Sequence, residues 1–288
     1  MPAMTTATTS LKLCVPLLGI MLLIDAGHCF AGDSATKPAG RDERKFSDTA
    51  ATTAAERRAA IVKAVAQADP DSWAGEYDYG DGLGVNVSLA LAPNQGFVFQ
   101  WTGCMGVYDR NWGEVSETDG VVSLKCELPN QRQGFQGIST RLRPVKWGER
   151  HYLIGEEDLV RFCNRVNSGT EAKAGRRSSM FLLRRGDEAK AVQGKPELPA
   201  EYQKLLLDEP VKATITAVEG DKLTIDIGAA HGAFQDMELF KDSPGEVESI
   251  KITKVGDKTS EAEVVNVIGR RSKAGTDWKL TSRAPWAR

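Results

Sequence analysis

Histidine is the scarcest chemistry-bearing residue in this 288-residue chain, with three copies, and its scarcity excludes whole classes of function. His28 lies in an N-terminal segment read below as a leader. His151 and His231 stand far apart, with no ligand-like neighbour at i+2 or i+4. Zinc sites gather three or four ligands at short spacings, so neither a metal centre nor histidine-based catalysis is expected. His151 reads as flanking a strand and His231 as filling a turn. The Gly-x-Ser-x-Gly elbow of the commonest serine hydrolases is also missing. "GDGLG" is followed by neither a Lys-Ser/Thr pair nor a helix, so it is no phosphate cradle, and no cofactor is implied. "YDYGDGLG" lacks the alternating oxygen ligands and terminal Glu of a calcium loop; its Asp78, Asp81 and glycines read as turn chemistry. An excess of one charge is absent too: 37 basic against 39 acidic side chains leave no whole-chain field toward nucleic acid or an anionic membrane.

A membrane-length apolar run is lacking. The longest uncharged stretch near the start, Leu13 to Ile24 ("LCVPLLGIMLLI"), is short of the roughly 20 residues that cross a bilayer but fits the apolar heart of a signal peptide. Cys29 and Ala31 supply the small-x-small pattern of a cleavage site, so residues 1–31 are expected to be removed after Ala31. The mature chain would then carry no transmembrane segment and reside in the periplasm or outside the cell. A lipid anchor on Cys29 needs a small residue before it, and His28 occupies that place.

Export changes the meaning of the sulfur. Cys104, Cys126 and Cys163 remain in an oxidising compartment, where a disulfide is expected. Cys126 alternates in phase with Val122, Leu124 and Leu128, which makes it a small core residue. The pairing favoured is therefore Cys104 with Cys163, the other two connectivities remaining open.

What the chain has in quantity is alternation. Residues 32–47 mix Gly, Pro, Ser and charges without period and read as a disordered mature N-terminus. A helix is expected from an N-cap at Asp48 to just before Pro70, with Ala55, Ala59, Val62, Val65 and Ala66 as its packing face. Then Val85 to Leu91, Phe97 to Trp101, the stretches around Tyr108 and Val115, Val121 to Leu128, Ile138 to Leu142 and Arg150 to Ile154 alternate every second residue between turn clusters. "GEEDLVRFCNRVNSG" switches to helical spacing before a last strand, "MFLLRR". Residues 48–187 thus read as a helix plus an antiparallel β-barrel-like meander, 188–209 as a linker with a short helix, and 210–288 as about six short strands forming a second, small β-barrel. The fold class is mainly β.

Candidate functional residues cluster in "GFVFQWTGCMGVYDRNWGEV". Trp101, Tyr108, Arg110 and Trp112 interleave aromatic and basic groups, as a site for a small apolar or glycan ligand at a barrel mouth would. The competing reading places the aromatics in the core and the cations at the rim. Single-stranded nucleic acid would suit the same chemistry, but export argues against it. Glu114, Glu156 and Glu157 are the carboxylates a hydrolase would call on, although nothing marks them as desolvated.

Through "SWAGEYDYGDGLGVNVSLALAP", "GCMGVYDRNWG" and "RFCNRVNSG", residues 72 to 205 resemble an uncharacterised family of exported bacterial proteins, a likeness that implies no activity. In the second domain, "IDIGAAHGAFQDMELF" resembles the Gly-x-x-x-Gly-x-x-x-Gly-Met-x-Leu turn and strand of small β-barrel modules in bacterial envelope-assembly proteins, with Asp236 in the third glycine's place. That resemblance implies docking on an envelope protein partner. The expectation is a non-catalytic exported protein, with a ligand-binding first barrel as the alternative and a carboxylate hydrolase third.

Overall fold

The computed structural model describes residues 43–80, 85–132, 135–171, 181–243, 248–265 and 273–287. The expected leader, most of the N-terminal stretch before residue 47, Asp81 and residues 172–180 lie outside the described residues. A 3-10 turn, Glu43–Phe46, leads into α1 (Asp48–Val65). Strands follow as β1 (Gly75–Gly80), β2 (Asn86–Ala92), β3 (Gly96–Gly103), β4 (Gly106–Thr118) and β5 (Val121–Cys126). A small hairpin, β6 (Gln131–Arg132) and β7 (Phe135–Gln136), interrupts the meander before β8 (Arg141–Trp147) and β9 (Arg150–Gly155). Helix α2 (Leu159–Ser168) precedes β10 (Leu182–Arg184), and α3 (Ala200–Gln203) is a single turn. The second domain holds β11 (Lys212–Glu219), β12 (Lys222–Ile225), β13 (Glu238–Lys241), β14 (Ser249–Val255), β15 (Ser260–Val265) and β16 (Lys279–Thr281).

The fold is mainly β, as expected, with two closed antiparallel barrels. The first runs β1-β2-β3-β4-β5-β8-β9-β10 and back to β1, an up-and-down order in which each strand pairs with its chain neighbour once the small hairpin is set aside. Its interior is filled. Tyr77, Leu89, Leu91, Phe97, Phe99, Val122, Leu124, Leu142, Leu153 and Leu182 pack as one buried cluster joined by Val115, so every strand contributes to it. The alternation in the sequence is the cause: one side of each strand goes inward.

The outer wall is covered by helices. Ser47, not Asp48, caps α1 through its side chain to the Ala50 amide. The buried face of α1 is Ala50, Ala54 and Ile61, one step round from the expected stripe; Ala55, Ala59, Val62 and Ala66 are exposed. Alanines on both sides explain the choice, because Ala50 and Ala54 meet Ala90 and Ala92 of β2 and bring the helix close to the sheet, with Val98 and Trp112 completing the contact. Arg57 and Arg58 then fall beside the packing line and reach Glu127 and Glu76. On the opposite wall, Leu159 and Phe162 of α2 pack on Val145, Trp147, Tyr152, Ile154 and Leu183. Gly169 at φ 73° ends that helix, as "NSG" predicts.

Two expectations shift. "GEYDYG" forms β1 rather than turn, since Tyr77 is needed inside the barrel while Asp78 faces out to Arg185 at 2.8 Å. Residues 188–209 are no free linker: Trp147 Nε1 donates to the Gly194 carbonyl at 2.8 Å, and Val192 and Leu198 join the α2 cluster.

The second barrel, in the order β11-β12-β15-β14-β13-β16, closes on Ile215, Leu223, Ile225, Leu239, Ile250, Ile252 and Leu280. In the connection from β12 to β13, a Cβ at Gly228 would lie 2.4 Å from the Gly256 and Asp257 carbonyl oxygens, while Gly232 and Asp236 both take left-handed φ, 81° and 64°. Asp tolerates that region better than most residues, so the substitution in the third glycine's place is one the backbone accepts. The two barrels touch through α2. Asn164 donates to the Asp236 carbonyl at 2.8 Å and accepts from the Glu238 amide at 3.2 Å, and the Ala284 amide bonds the Ser168 carbonyl at 3.1 Å.

Candidate functional site

A polar cleft lies at one end of the first barrel. The β8–β9 hairpin turns at Gly148, whose φ of 60° and close approach to the Ala191 carbonyl exclude a side chain. It sets Lys146 and His151 opposite each other in register. Both are in phase with Leu142 and Leu153, so they continue the inner face where the apolar filling ends. Asp71 comes from the α1–β1 connection and Asp187 from the turn after β10.

These groups bind one another. The Oδ2 of Asp187 accepts from the His151 backbone amide at 2.8 Å and lies 2.9 Å from its Nδ1, while Oδ1 pairs with Lys190 at 2.5 Å. Burial alone would raise the Asp187 carboxyl, but the bonds from Lys190 and His151 prevail and hold it below the usual range. Asp71 accepts from Lys146 at 2.8 Å, which lowers the Asp71 pKa and raises that of Lys146, and it stands 3.5 Å from His151 Nε2. Arg184 donates to the carbonyls of Pro70 and Ser72 and to Tyr77 Oη, so it clamps the loop that presents Asp71. The cleft encloses about 550 Å³. Among the described residues lining it there is no Ser, Thr or Cys, so the imidazole has no hydroxyl or thiol to activate. The arrangement closes this end of the barrel with a network of paired charges.

The sequence reasoning missed this site. His151 was legible in one respect, its phase with Leu153, which points it inward; Asp71 and Asp187 sit in loops whose meeting no period encodes.

The expected ligand residues are divided. Trp101 packs on the inner cluster and meets Tyr108 edge to face at 5.8 Å. Trp112 lies under α1 and donates from Nε1 to Glu127 at 2.8 Å. Arg110 is buried on β4, opposite Gln100 of β3. The four therefore line no common mouth, and the aromatics act in packing.

The expected Cys104–Cys163 disulfide is not formed: Cys104, Cys126 and Cys163 are free thiols. Cys104 is exposed at the β3–β4 turn beside Met105, which is 87% exposed, whereas Cys163 is inside the α2 contact with its Sγ 3.7 Å from the Tyr202 carbonyl. Burial pushes the Cys163 thiol up to about 12. Helical spacing turned that cysteine onto the buried face of α2, whereas Cys104 sits exposed in the β3–β4 turn. The carboxylates fare as solvated charges do. Glu156 pairs with Arg141 at 2.5 Å and Arg143 at 3.3 Å, Glu157 accepts from Ser139 at 3.1 Å, and Glu114 meets Lys125 at 2.9 Å in the open. No group of His, Cys, Asp and Glu fit to hold a metal occurs among the described residues.

No protein-family model, no curated protein and no solved structure matches the chain.

Proposed function

We propose that the chain is an exported, non-catalytic binding protein of the cell envelope, in which the first barrel is a rigid scaffold and the second docks on an envelope protein partner. The observation that carries this reading is the filling of both barrels by apolar side chains, which leaves recognition to their outer surfaces. The first barrel has no room for an apolar ligand among Phe97, Phe99, Leu89 and Leu153. Its histidine is held between two carboxylates, Asp71 and Asp187. The hydrogen bonds of Asn164 to the second barrel support a single rigid unit rather than beads on a string. Export rests on the Leu13–Ile24 run and the small residues before Gly32.

The test has two arms in one strain. Mass analysis of the chain released from the periplasm should give a mature N-terminus at Gly32; an uncut chain in the cytosol overturns the location. Photoreactive residues replacing Val218 or Trp286, both partly exposed on the second barrel, should cross-link an envelope protein in intact cells, while one replacing Val62 of α1 should not. Cross-links from the first barrel alone overturn the assignment of docking to the second.

A further inference from the structure

Two consecutive residues of β4 bury opposite charges and are treated differently by the fold. Asp109 is 1% exposed and receives a dedicated counter-ion, Lys45, itself 2% exposed, at 2.7 Å. Arg110 is 8% exposed, and among the described residues its guanidinium has no hydrogen-bond acceptor, no ion pair and no aromatic ring. Its Nε is wholly covered and unsatisfied. Desolvation lowers its pKa and no neighbouring charge opposes the shift. Covering a guanidinium nitrogen without giving it an acceptor is costly, and a Met or Leu would fill the same space without that cost.

What surrounds Arg110 is suited to an anion. In register on the same face lie half-buried Gln100 of β3 and then Ser88 of β2. Gln100 has a primary amide with two donors and makes no side-chain bond among the described residues. Ser88 receives only a long bond, 3.4 Å, from Arg58 of α1. A register shift between Trp101 and Thr102, opposite Val107 and Asp109, places a bulge beside the arginine. Bulges bend a strand and re-aim its side chains. A planar fork beside an amide on a bulged strand matches the oxygens of a carboxylate or phosphate.

We infer that Arg110 and Gln100 form the seat of a dissolved small molecule carrying a phosphate or carboxylate group, on the outer wall of the first barrel. This site is separate from the His151 cleft and independent of partner docking by the second barrel. The anion supplies to Arg110 what Lys45 supplies to Asp109.

The test is thermal unfolding and isothermal titration of the full mature chain with inorganic phosphate and with acetate, against chloride at equal ionic strength. Saturating phosphate or acetate should raise the wild-type midpoint by about 2–4 °C per factor of five or so in folded population gained. Arg110→Met should lose that response while unfolding, without anion, at or above the wild-type temperature, because it removes an unpaired charge. Arg110→Lys should keep a weaker response and Gln100→Ala should weaken binding several-fold, so the inference stays testable if the Met variant does not fold. An equal phosphate response in wild type and Arg110→Met, or no response of the wild type to either anion, overturns it.

Discussion

The two barrels differ most in what they bury besides hydrocarbon. The first, with eight strands, encloses or covers Lys45, Asp109, Arg110, Arg150 and Asp187; the second, with six, buries only hydroxyls among its described polar residues, at Ser249, Ser260, Thr281 and Ser282. The physical reason is width. A six-stranded barrel closes on one apolar cluster, whereas the inner face of an eight-stranded barrel extends past its filling and must be finished with something. Here it is finished with charge. Lys45 enters beside β4 to meet Asp109, and the opposite wall's hairpin, β8–β9, ends in the Lys146, His151 and Asp187 network. Among the described residues, buried charge is thereby confined to the first barrel and its covering elements.

Breaking a buried pair should expose this difference most sharply. Asp109→Ala strands the Lys45 ammonium and is expected to cost about 3–5 kcal/mol in urea unfolding, while Lys45→Met with Asp109→Leu should recover most of the loss. The matching change in the second barrel, Ser260→Ala, should be nearly silent, because the Ser260 hydroxyl is buried without a hydrogen-bond partner. Equal losses in the two barrels would erase the contrast. Truncating the apolar filling should act on both alike: Phe99→Ala and Leu239→Ala are each expected to cost roughly 2–5 kcal/mol, with hydrogen exchange accelerating in the barrel that carries the change.

A smaller effect is expected at the junction. Asn164→Ala removes two bonds to the second barrel and should cost about 1–3 kcal/mol, broadening or splitting a single calorimetric transition. Acid should then separate the barrels more gently. Asp187 has a folded pKa below its unfolded value, so its contribution is complete above the ordinary carboxylate pKa and is lost as pH falls through the folded value. Asp187→Asn should flatten that acid limb, read by the fluorescence of Trp147, which packs on the same wall. The least perturbing probe is a thiol reagent. Cys104 should react at once in the native protein and Cys163 only after unfolding, and failure of Cys104 to react would reopen the question of a disulfide.

Alternation in Val85 to Leu91 and Phe97 to Trp101, and the change to helical spacing at Leu159, Phe162 and Cys163, made the architecture readable, because periods of two and of 3.6 residues each decide which side chains face a core. The same logic failed at α1 by one step, since an alanine-rich helix has no dominant stripe and the opposing alanines of β2 chose the face. It failed at β1 as well, where Asp78 and Gly80 read as turn residues and only barrel closure required a strand. Of the site little was legible. Asp71, Lys146, His151 and Asp187 come from three separated stretches of chain, and each alone is a common surface residue.

By itself, then, the sequence determined two β-rich halves, the approximate strands of each and the end of α2, because these depend on local period and turn residues. Closure of the barrels decided the rest: which charges are sealed from water, which of them find partners, and that Cys104 and Cys163 remain apart. Such outcomes depend on distances between residues far apart in the chain, and those distances exist only once the last strand has paired with the first.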